Sequence, residues 1–170
     1  VLFLGAGQFD KAIEIAELME DRESGMTTAF LLLAARDVKE GDFTKAQERL
    51  KNVPEQGLAR YSQPLAGAWI QAGTGDFEGA FKLLEPLSNE SGFVSLMNLH
   101  LALLNEQAGN SAKADEIYKK ATEKIDKTPL RMVRATGTFL ERRDRKDEAK
   151  TLYEAYLQAN PASYLIGYEL

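Results

Sequence analysis

The chain has 170 residues, of which 44% are hydrophobic and 28% charged, and this balance excludes a disordered or fibrous polypeptide. Its net charge of −5 argues against a general binder of nucleic acid or of anionic membranes. With no cysteine and one histidine, the chain lacks the residues for disulfides, thiolate zinc sites, iron–sulfur clusters and cysteine nucleophiles, which leaves only oxygen ligands and serine or carboxylate chemistry.

The first residues, 1–5, read as the last turn of an apolar helix without an initiator methionine. We therefore expect further repeats upstream, whose loss would leave an apolar edge at Phe3, Phe9 and Ile13 through which the chain could form homo-oligomers. The longest apolar run, 29–35, has seven residues. A membrane-spanning helix needs roughly 20, so we expect no span in this chain.

A motif of the form Gly-x-Phe-x-x-Ala recurs at intervals of 34 residues, beginning at Gly7, Gly41 and Gly75. A fourth copy without the phenylalanine begins at Gly109, and a degenerate fifth begins at Asp144. A glycine at this position ends one helix in the left-handed conformation, and the chain re-enters a helix within about three residues. Each repeat is therefore predicted to be a pair of antiparallel helices.

Two further sets of residues keep the same phase. A small residue in each first helix is expected to let the two backbones approach, and a large residue in each second helix is expected to fill the space beneath it. The small residues are Ala34, Ala68, Ala102 and Gly137, and the large ones are Leu50, Leu84, Tyr118 and Tyr153.

The predicted elements follow in chain order as one domain, 1–170. Second helices are expected near 9–21, 43–53, 77–88, 112–125 and 146–159, and first helices near 26–40, 61–73, 93–108 and 129–143. The corresponding repeats are 1–26 (partial), 27–60, 61–94, 95–129 and 130–161. Pro64 then falls in a first turn or at a kink, and 162–170 begins a capping or further helix that packs on the last repeat.

The 34-residue period, the Gly-x-aromatic-x-x-Ala turn and the late Pro161 resemble the tetratricopeptide repeat. The usual tryptophan and Leu-Gly of the first helix are replaced here by pairs such as Leu33-Ala34 and Gly67-Ala68. The resemblance implies an all-α fold, a right-handed α-solenoid of antiparallel helix hairpins. The segment 153–161 is also similar to poorly characterised bacterial members, often exported, which favours a periplasmic over a cytoplasmic location.

No residue combination indicates catalysis. The only candidate partners about one helical turn from His100 are Ser95 and Asn98, so we interpret His100 as a structural or groove residue. The Gly-Thr-Gly at 73–75 coincides with a repeat turn, and Asp42 and Asp76 are expected to cap helices. Three carboxylate pairs are interpreted as solvated outer faces: Glu14/Glu17, Asp115/Glu116 and Asp147/Glu148. We expect a protein that is not an enzyme, with no catalytic residue, no metal site and no cofactor.

Positive charge is concentrated in residues 113–150, which carry 12 basic and 8 acidic side chains. Five of the basic residues lie in or just after one first helix: Arg131, Arg134, Arg142, Arg143 and Arg145. This basic end could receive an acidic peptide or a chain carboxylate, or it could be an ordinary solvated surface.

In tetratricopeptide proteins the first helices line an inner groove. Carrying those positions onto this sequence implies an apolar groove with an arginine end, formed by Leu31, Leu65, Trp69, Leu99, Leu103, Arg131 and Arg134. The alternative is that these leucines belong to the core between repeats or are covered by upstream repeats. The Lys and Asn clamp for a C-terminal carboxylate is missing, which disfavours a chaperone adaptor.

The sequence therefore predicts a non-catalytic scaffold that binds a peptide or a partner protein in this groove. A second hypothesis is a self-assembling accessory domain of a larger bacterial envelope-assembly or secretion protein. A third, an RNA-reading helical array, is disfavoured by the negative charge and by the lack of matching polar residues in each first helix.

Overall fold

A computed structural model describes residues 5–20, 26–53, 57–87 and 92–167, and within these ranges it contains helices and turns but no strand. The all-α fold predicted from the repeat is therefore confirmed. The α-helices in this part of the chain are α1 (Phe9–Glu20), α2 (Met26–Lys39), α3 (Phe43–Lys51), α4 (Ala59–Gly73), α5 (Phe77–Leu84), α6 (Val94–Gln107), α7 (Ser111–Thr122), α8 (Leu130–Glu141), α9 (Lys146–Ala159) and α10 (Tyr164–Gly167). Short 3-10 segments, Glu85–Leu87 and Ile125–Lys127, follow α5 and α7.

The repeat turns adopt the predicted left-handed conformation. Gly41 has φ of 85° and Gly75 has φ of 86°, and Asp144, at the same position of the fifth repeat, has φ of 58°. Aspartate is among the few residues with a side chain that visit this region. At each turn the next residue donates its N–H to the carbonyl five positions back, as from Asp76 to Gln71 at 3.1 Å, and this bond closes the preceding helix.

Two of the second helices, α3 and α5, begin at caps that the sequence predicts. The Asp42 carboxylate accepts a hydrogen bond from the N–H of Lys45 at 2.9 Å, and the Asp76 carboxylate accepts one from the N–H of Gly79 at 2.8 Å. Each satisfies a helix N–H that has no partner within the helix. The two aspartates are therefore caps, as expected.

Successive helices pair into hairpins: α2 with α3 (the second repeat), α4 with α5 (the third), α6 with α7 (the fourth) and α8 with α9 (the fifth). The predicted small and large residues are buried in these hairpins. At Gly137 a Cβ atom would overlap the ring and hydroxyl of Tyr153, so α8 and α9 approach as closely as they do because this residue has no side chain.

The chain divides into two compact units, Val1–Pro86 and Leu87–Leu170. In unit 1, one buried cluster, which includes Ile13 and Leu33, joins α1 to α2, and a second, which includes Phe30 and Leu50, joins α2, α3 and α4. In unit 2, a single cluster contains the rings of Tyr118, Phe139 and Tyr153 and also Ile166 of α10. Ile166 is buried in this cluster together with Tyr153 and Tyr156 of α9.

Some boundaries differ from the predictions. Helix α4 begins at Ala59, two residues earlier than predicted, because the N–H groups of Tyr61 and Ser62 both donate to the carbonyl of Leu58 at 3.1 Å. Pro64 therefore lies inside the helix rather than in its first turn. The helix after Gly75 is shorter than predicted, since it ends at Leu84 and continues only as a 3-10 segment.

The predicted apolar edge is wrong for the two of its residues that the structure describes. Ile13 is buried against α2, and Phe9 packs half-buried on the same cluster, because the amphipathic face of α1 is covered by α2. Phe3 lies outside the described residues.

Candidate functional site

In unit 1 the predicted partner-binding residues lie on two first helices. Leu31 is on α2, where it packs half-buried against the cluster that includes Phe30. Leu65 and Trp69 lie one turn apart on α4, and both are half-buried. Leu31 therefore contributes to the core between helices, as the alternative interpretation holds, while part of each side chain still reaches the surface.

In unit 2 the predicted residues lie on α6 and α8, which contact each other. Leu99 packs half-buried on the core of the unit, and Leu103, one turn further along α6, is also half-buried. Arg131 and Arg134 are exposed on α8. We call these four residues the α6/α8 surface.

His100 lies beside Leu99 on α6, and its pKa is affected by the positive charge of the α6/α8 surface. Burial lowers the pKa of His100, and the positive charge of Arg131 lowers it further. The imidazole is consequently neutral at pH 7, and the positive charge here belongs to the arginines.

The other three arginines of the basic segment bind groups of unit 2 itself. Arg142 pairs with Glu106 at 3.1 Å, and Arg145 pairs with Asp115 and with Glu148, both at 2.6 Å. Arg143 lies 4.0 Å from the ring centroid of Phe139. The expected basic end is thus smaller than the sequence indicates, and Asp115, predicted to be a solvated carboxylate, is instead half-buried in an ion pair.

A buried carboxylate that sequence reasoning missed lies in unit 1. Asp37 of α2 is fully buried, hydrogen-bonded to Arg49 of α3 and to Arg36 at 3.1 Å, with the Lys45 ammonium at 3.6 Å. Burial alone would raise the pKa of Asp37, but the bonds from Arg49 and Arg36 outweigh it and lower the pKa overall. Three cations around one carboxylate indicate a structural network that joins α2 to α3.

Unit 1 has a cleft of about 760 Å³ between α3, α4 and α5. We call it the α4 cleft. Leu65 and Trp69 are not among its lining residues, so it is distinct from the predicted groove face of α4. It is lined by Gln47, Leu50, Lys51, Arg60, Gln63, Pro64, Gly67, Gln71, Leu83 and Pro86.

Three positions that line the cleft are less buried in the third repeat than in the second and fifth, while in the fourth repeat Asn98 and Leu101 are also only half-buried. At these positions α4 carries Pro64, Gly67 and Gln71, which are all half-buried and line the cleft. The equivalent residues in the second and fifth repeats are all buried: Phe30, Leu33 and Asp37 in α2, and Val133, Thr136 and Leu140 in α8.

The floor of the cleft is apolar and its charged rim is positive. A Cβ atom at Gly67 would lie 3.3 Å from Cδ1 of Leu83 and 3.8 Å from Cδ1 of Leu50, so these two leucines face the glycine. The Gln63 side-chain amide donates a hydrogen bond to the carbonyl of Leu50 at 2.8 Å. Among the described residues of the lining, the charged ones are Lys51 and Arg60, which are both basic.

Unit 2 has a shallower cleft of about 560 Å³ with the opposite charge. Its lining includes Glu123, Asp147 and Glu148 around Ile125 and Leu152, and no cation. The two clefts therefore differ in the ligands that they could attract.

The described residues contain no group of three or more histidine or acidic side chains placed to hold a metal ion. None of the described helices has the length and apolarity that crossing a bilayer requires.

Comparison with known proteins adds one finding. The family model of the tetratricopeptide repeat-like domain matches residues 4–136, which is most of the chain. No curated protein and no solved structure matches it.

Proposed function

The chain belongs to the tetratricopeptide repeat-like family, and we propose that it is a non-catalytic scaffold that binds a peptide or a partner protein along its first helices. At the level of the family, such a domain indicates a protein-interaction scaffold and is generally non-enzymatic. The proposed binding residues are those of the sequence: Leu31, Leu65 and Trp69 in unit 1, and Leu99, Leu103, Arg131 and Arg134 in unit 2.

The observation that carries this proposal is the α6/α8 surface. Half-buried leucines on α6 adjoin a helix with two exposed arginines, so apolar and cationic groups are within reach of one ligand. A peptide with apolar side chains and a carboxylate would match both: the leucines would bury its side chains, and a guanidinium can bind a carboxylate through two hydrogen bonds.

The test begins with peptides selected from a random library for binding to the 170-residue chain and measured by fluorescence polarisation. Arg131→Ala combined with Arg134→Ala should weaken their binding about tenfold or more and flatten its salt dependence. Stability should change little, because exposed charges contribute only ~0–1 kcal/mol to folding. The control is Lys146→Ala with Lys150→Ala, which removes the same charge from exposed positions on α9. Equal losses in both double variants would contradict a specific arginine site.

In unit 1, Trp69 is proposed as an apolar anchor. Truncating an interface tryptophan typically costs about 2 kcal/mol or more in binding. Trp69→Ala should therefore reduce peptide binding with little loss of melting temperature, and Leu58→Ala, at an exposed leucine preceding α4, serves as the control. A large drop in melting temperature, together with a blue-shifted tryptophan emission that quenchers cannot reach in the wild-type chain, would identify Trp69 as core.

The second candidate is the self-assembling accessory domain of a larger bacterial envelope-assembly or secretion protein. Exposed apolar side chains at the first and last described helices favour it: Leu18 on α1 is 68% exposed and Tyr164 on α10 is 80% exposed. Sedimentation at high concentration tests the idea. Self-association that Leu18→Lys abolishes would support it, and a strict monomer would contradict it.

A further inference from the structure

We propose that the α4 cleft is a second binding site of this protein, and that its ligand is an acidic peptide segment that inserts one large apolar side chain. The proposal goes beyond the function proposed above, because the cleft shares no lining residue with the first-helix positions assigned there. Either site could therefore exist without the other.

The composition of α4 is the first argument. Proline inside a helix costs about 3 kcal/mol relative to alanine, and glycine about 1 kcal/mol. Pro64 and Gly67 are both inside α4, on the face that lines the cleft. Two residues that weaken the helix, at positions buried in the second and fifth repeats, are unfavourable for folding alone. Natural proteins break such local rules most often at functional sites.

The shape of the cleft indicates the anchor. The residues equivalent to Gly67 in the second and fourth repeats are leucines, Leu33 and Leu101. In the second repeat, the Leu33 side chain is fully buried against α1. In the third repeat Gly67 has no side chain at this position, and Leu50 and Leu83 are the side chains nearest to it. A large apolar side chain supplied by a partner would pack on Leu50, which is already buried, and would cover the half-buried Leu83.

The polar groups of the lining indicate the remainder of the ligand. Gln47, Gln63 and Gln71 carry amides, which offer both donors and acceptors of the kind that a peptide backbone requires. Lys51 and Arg60, the charged residues among the described part of the lining, supply positive charge. The Arg60 guanidinium lies 4.5 Å from the ring centroid of Tyr61, which fixes the position of its charge. This arrangement complements carboxylates that flank the anchor, although the protein as a whole is acidic.

The experiment uses three labelled octapeptides with acetylated and amidated ends. One has a central leucine between glutamates, one replaces the glutamates with lysines, and one replaces the leucine with serine. By fluorescence polarisation against the 170-residue chain, the leucine–glutamate peptide should bind at least tenfold more tightly than either of the others. Equal binding of the three, or no binding, would overturn the proposal.

Two variants of the cleft lining and one control variant then test whether the peptide binds in the α4 cleft. Gly67→Leu restores the residue of the second and fourth repeats, so it should fill the cleft and reduce binding tenfold or more while the melting temperature stays the same or rises. Lys51→Glu should also reduce binding, whereas Lys11→Glu, an equal charge change at an exposed lysine on α1, should not.

The outcomes separate this site from the first-helix surfaces. Binding that Gly67→Leu leaves intact but that Arg131→Ala with Arg134→Ala removes would assign the peptide to the α6/α8 surface and overturn the α4 cleft. Decanoate is a competitor that shares the apolar and carboxylate chemistry without a peptide backbone. If decanoate bound the cleft and the peptides did not, the ligand would be a small amphipathic acid and the peptide proposal would be wrong.

Discussion

Helices α4 and α8 are the first helices of two equivalent hairpins, and they differ in burial at the three positions that line the cleft in α4. In α8 these positions carry Val133, Thr136 and Leu140, which are all buried. In α4 they are occupied by Pro64, Gly67 and Gln71 and they open into a cleft. The left-handed turn and the small residue are shared by both hairpins, so they maintain the fold and allow the residues on this face to differ.

The second repeat gives a third version of the same face. Asp37 of α2 has the repeat position of Gln71 and Leu140, yet it is fully buried and charged. The same repeat position is therefore occupied by an ion-paired carboxylate in α2, a half-buried amide in α4 and an apolar core residue in α8. Substitutions at these equivalent positions should therefore have effects of different size and even of different sign.

The largest effect is expected at Asp37. Asp37→Ala leaves the guanidinium groups of Arg36 and Arg49 without their shared carboxylate in a partly buried setting, and breaking a buried ion pair typically costs about 3 to 5 kcal/mol. Urea denaturation followed by Trp69 fluorescence measures this in unit 1. Glu48→Ala, which removes an exposed carboxylate from α3, is the control. A loss below about 1 kcal/mol would show that the network contributes little.

The same residue should give the stability of the protein a pH dependence. Because the pKa of Asp37 is lowered in the folded chain, its contribution is fully present above the ordinary aspartate pKa of about 3.9. It is lost as the pH falls through the lower folded value. Asp37→Asn should therefore flatten the fall of the unfolding free energy below about pH 4. An unchanged slope between wild type and variant would contradict the lowered pKa.

The next effect is expected in unit 2 at Gly137. Gly137→Ala places a Cβ atom in the space of the Tyr153 ring and hydroxyl, and overpacking of this kind costs about 1 to 3 kcal/mol. Adding Tyr153→Leu recreates the Ala34 and Leu50 pair of the second repeat. The double variant should therefore lose less stability than the two single variants summed, as measured by urea denaturation with far-UV circular dichroism. Strict additivity would show that the two residues do not restrict each other.

These positions also show how far the sequence predicts the molecule. The hairpins are predictable because the turn at Gly75 and the cap at Asp76 are local, and a left-handed turn recurs even where Asp144 replaces the glycine. The Asp37 network is not predictable in this way, because it depends on a tertiary contact between Asp37 and Arg49, which lie on different helices. The α4 cleft cannot be predicted from the sequence, because Gly67, beside Ala68, has the pattern of a small residue that packs between helices.

The surroundings of the proposed partner-binding arginines were only partly predictable for a similar reason. Helical spacing places Arg131 and Arg134 on an exposed face of α8, as expected. It does not predict that Arg142 would pair with Glu106 and Arg145 with Asp115, since both carboxylates belong to the preceding repeat. Tertiary pairing therefore divides one run of arginines into a structural part and an exposed part.

The smallest effect, and the one of opposite sign, is expected at Gly67. A Cβ atom there would lie 3.3 Å from the end of the Leu83 side chain, which borders the open cleft and can move by the few tenths of an ångström required. Gly67→Ala should then raise the unfolding free energy by about 0.5 to 1 kcal/mol, because alanine loses less backbone entropy in a helix. The same substitution at Gly137, in the equivalent hairpin of unit 2, destabilises. Urea denaturation of both variants under identical conditions makes the comparison direct. If Gly67→Ala also destabilised by more than about 1 kcal/mol, the face of α4 would be packed as tightly as that of α8, and the α4 cleft would lose its physical basis.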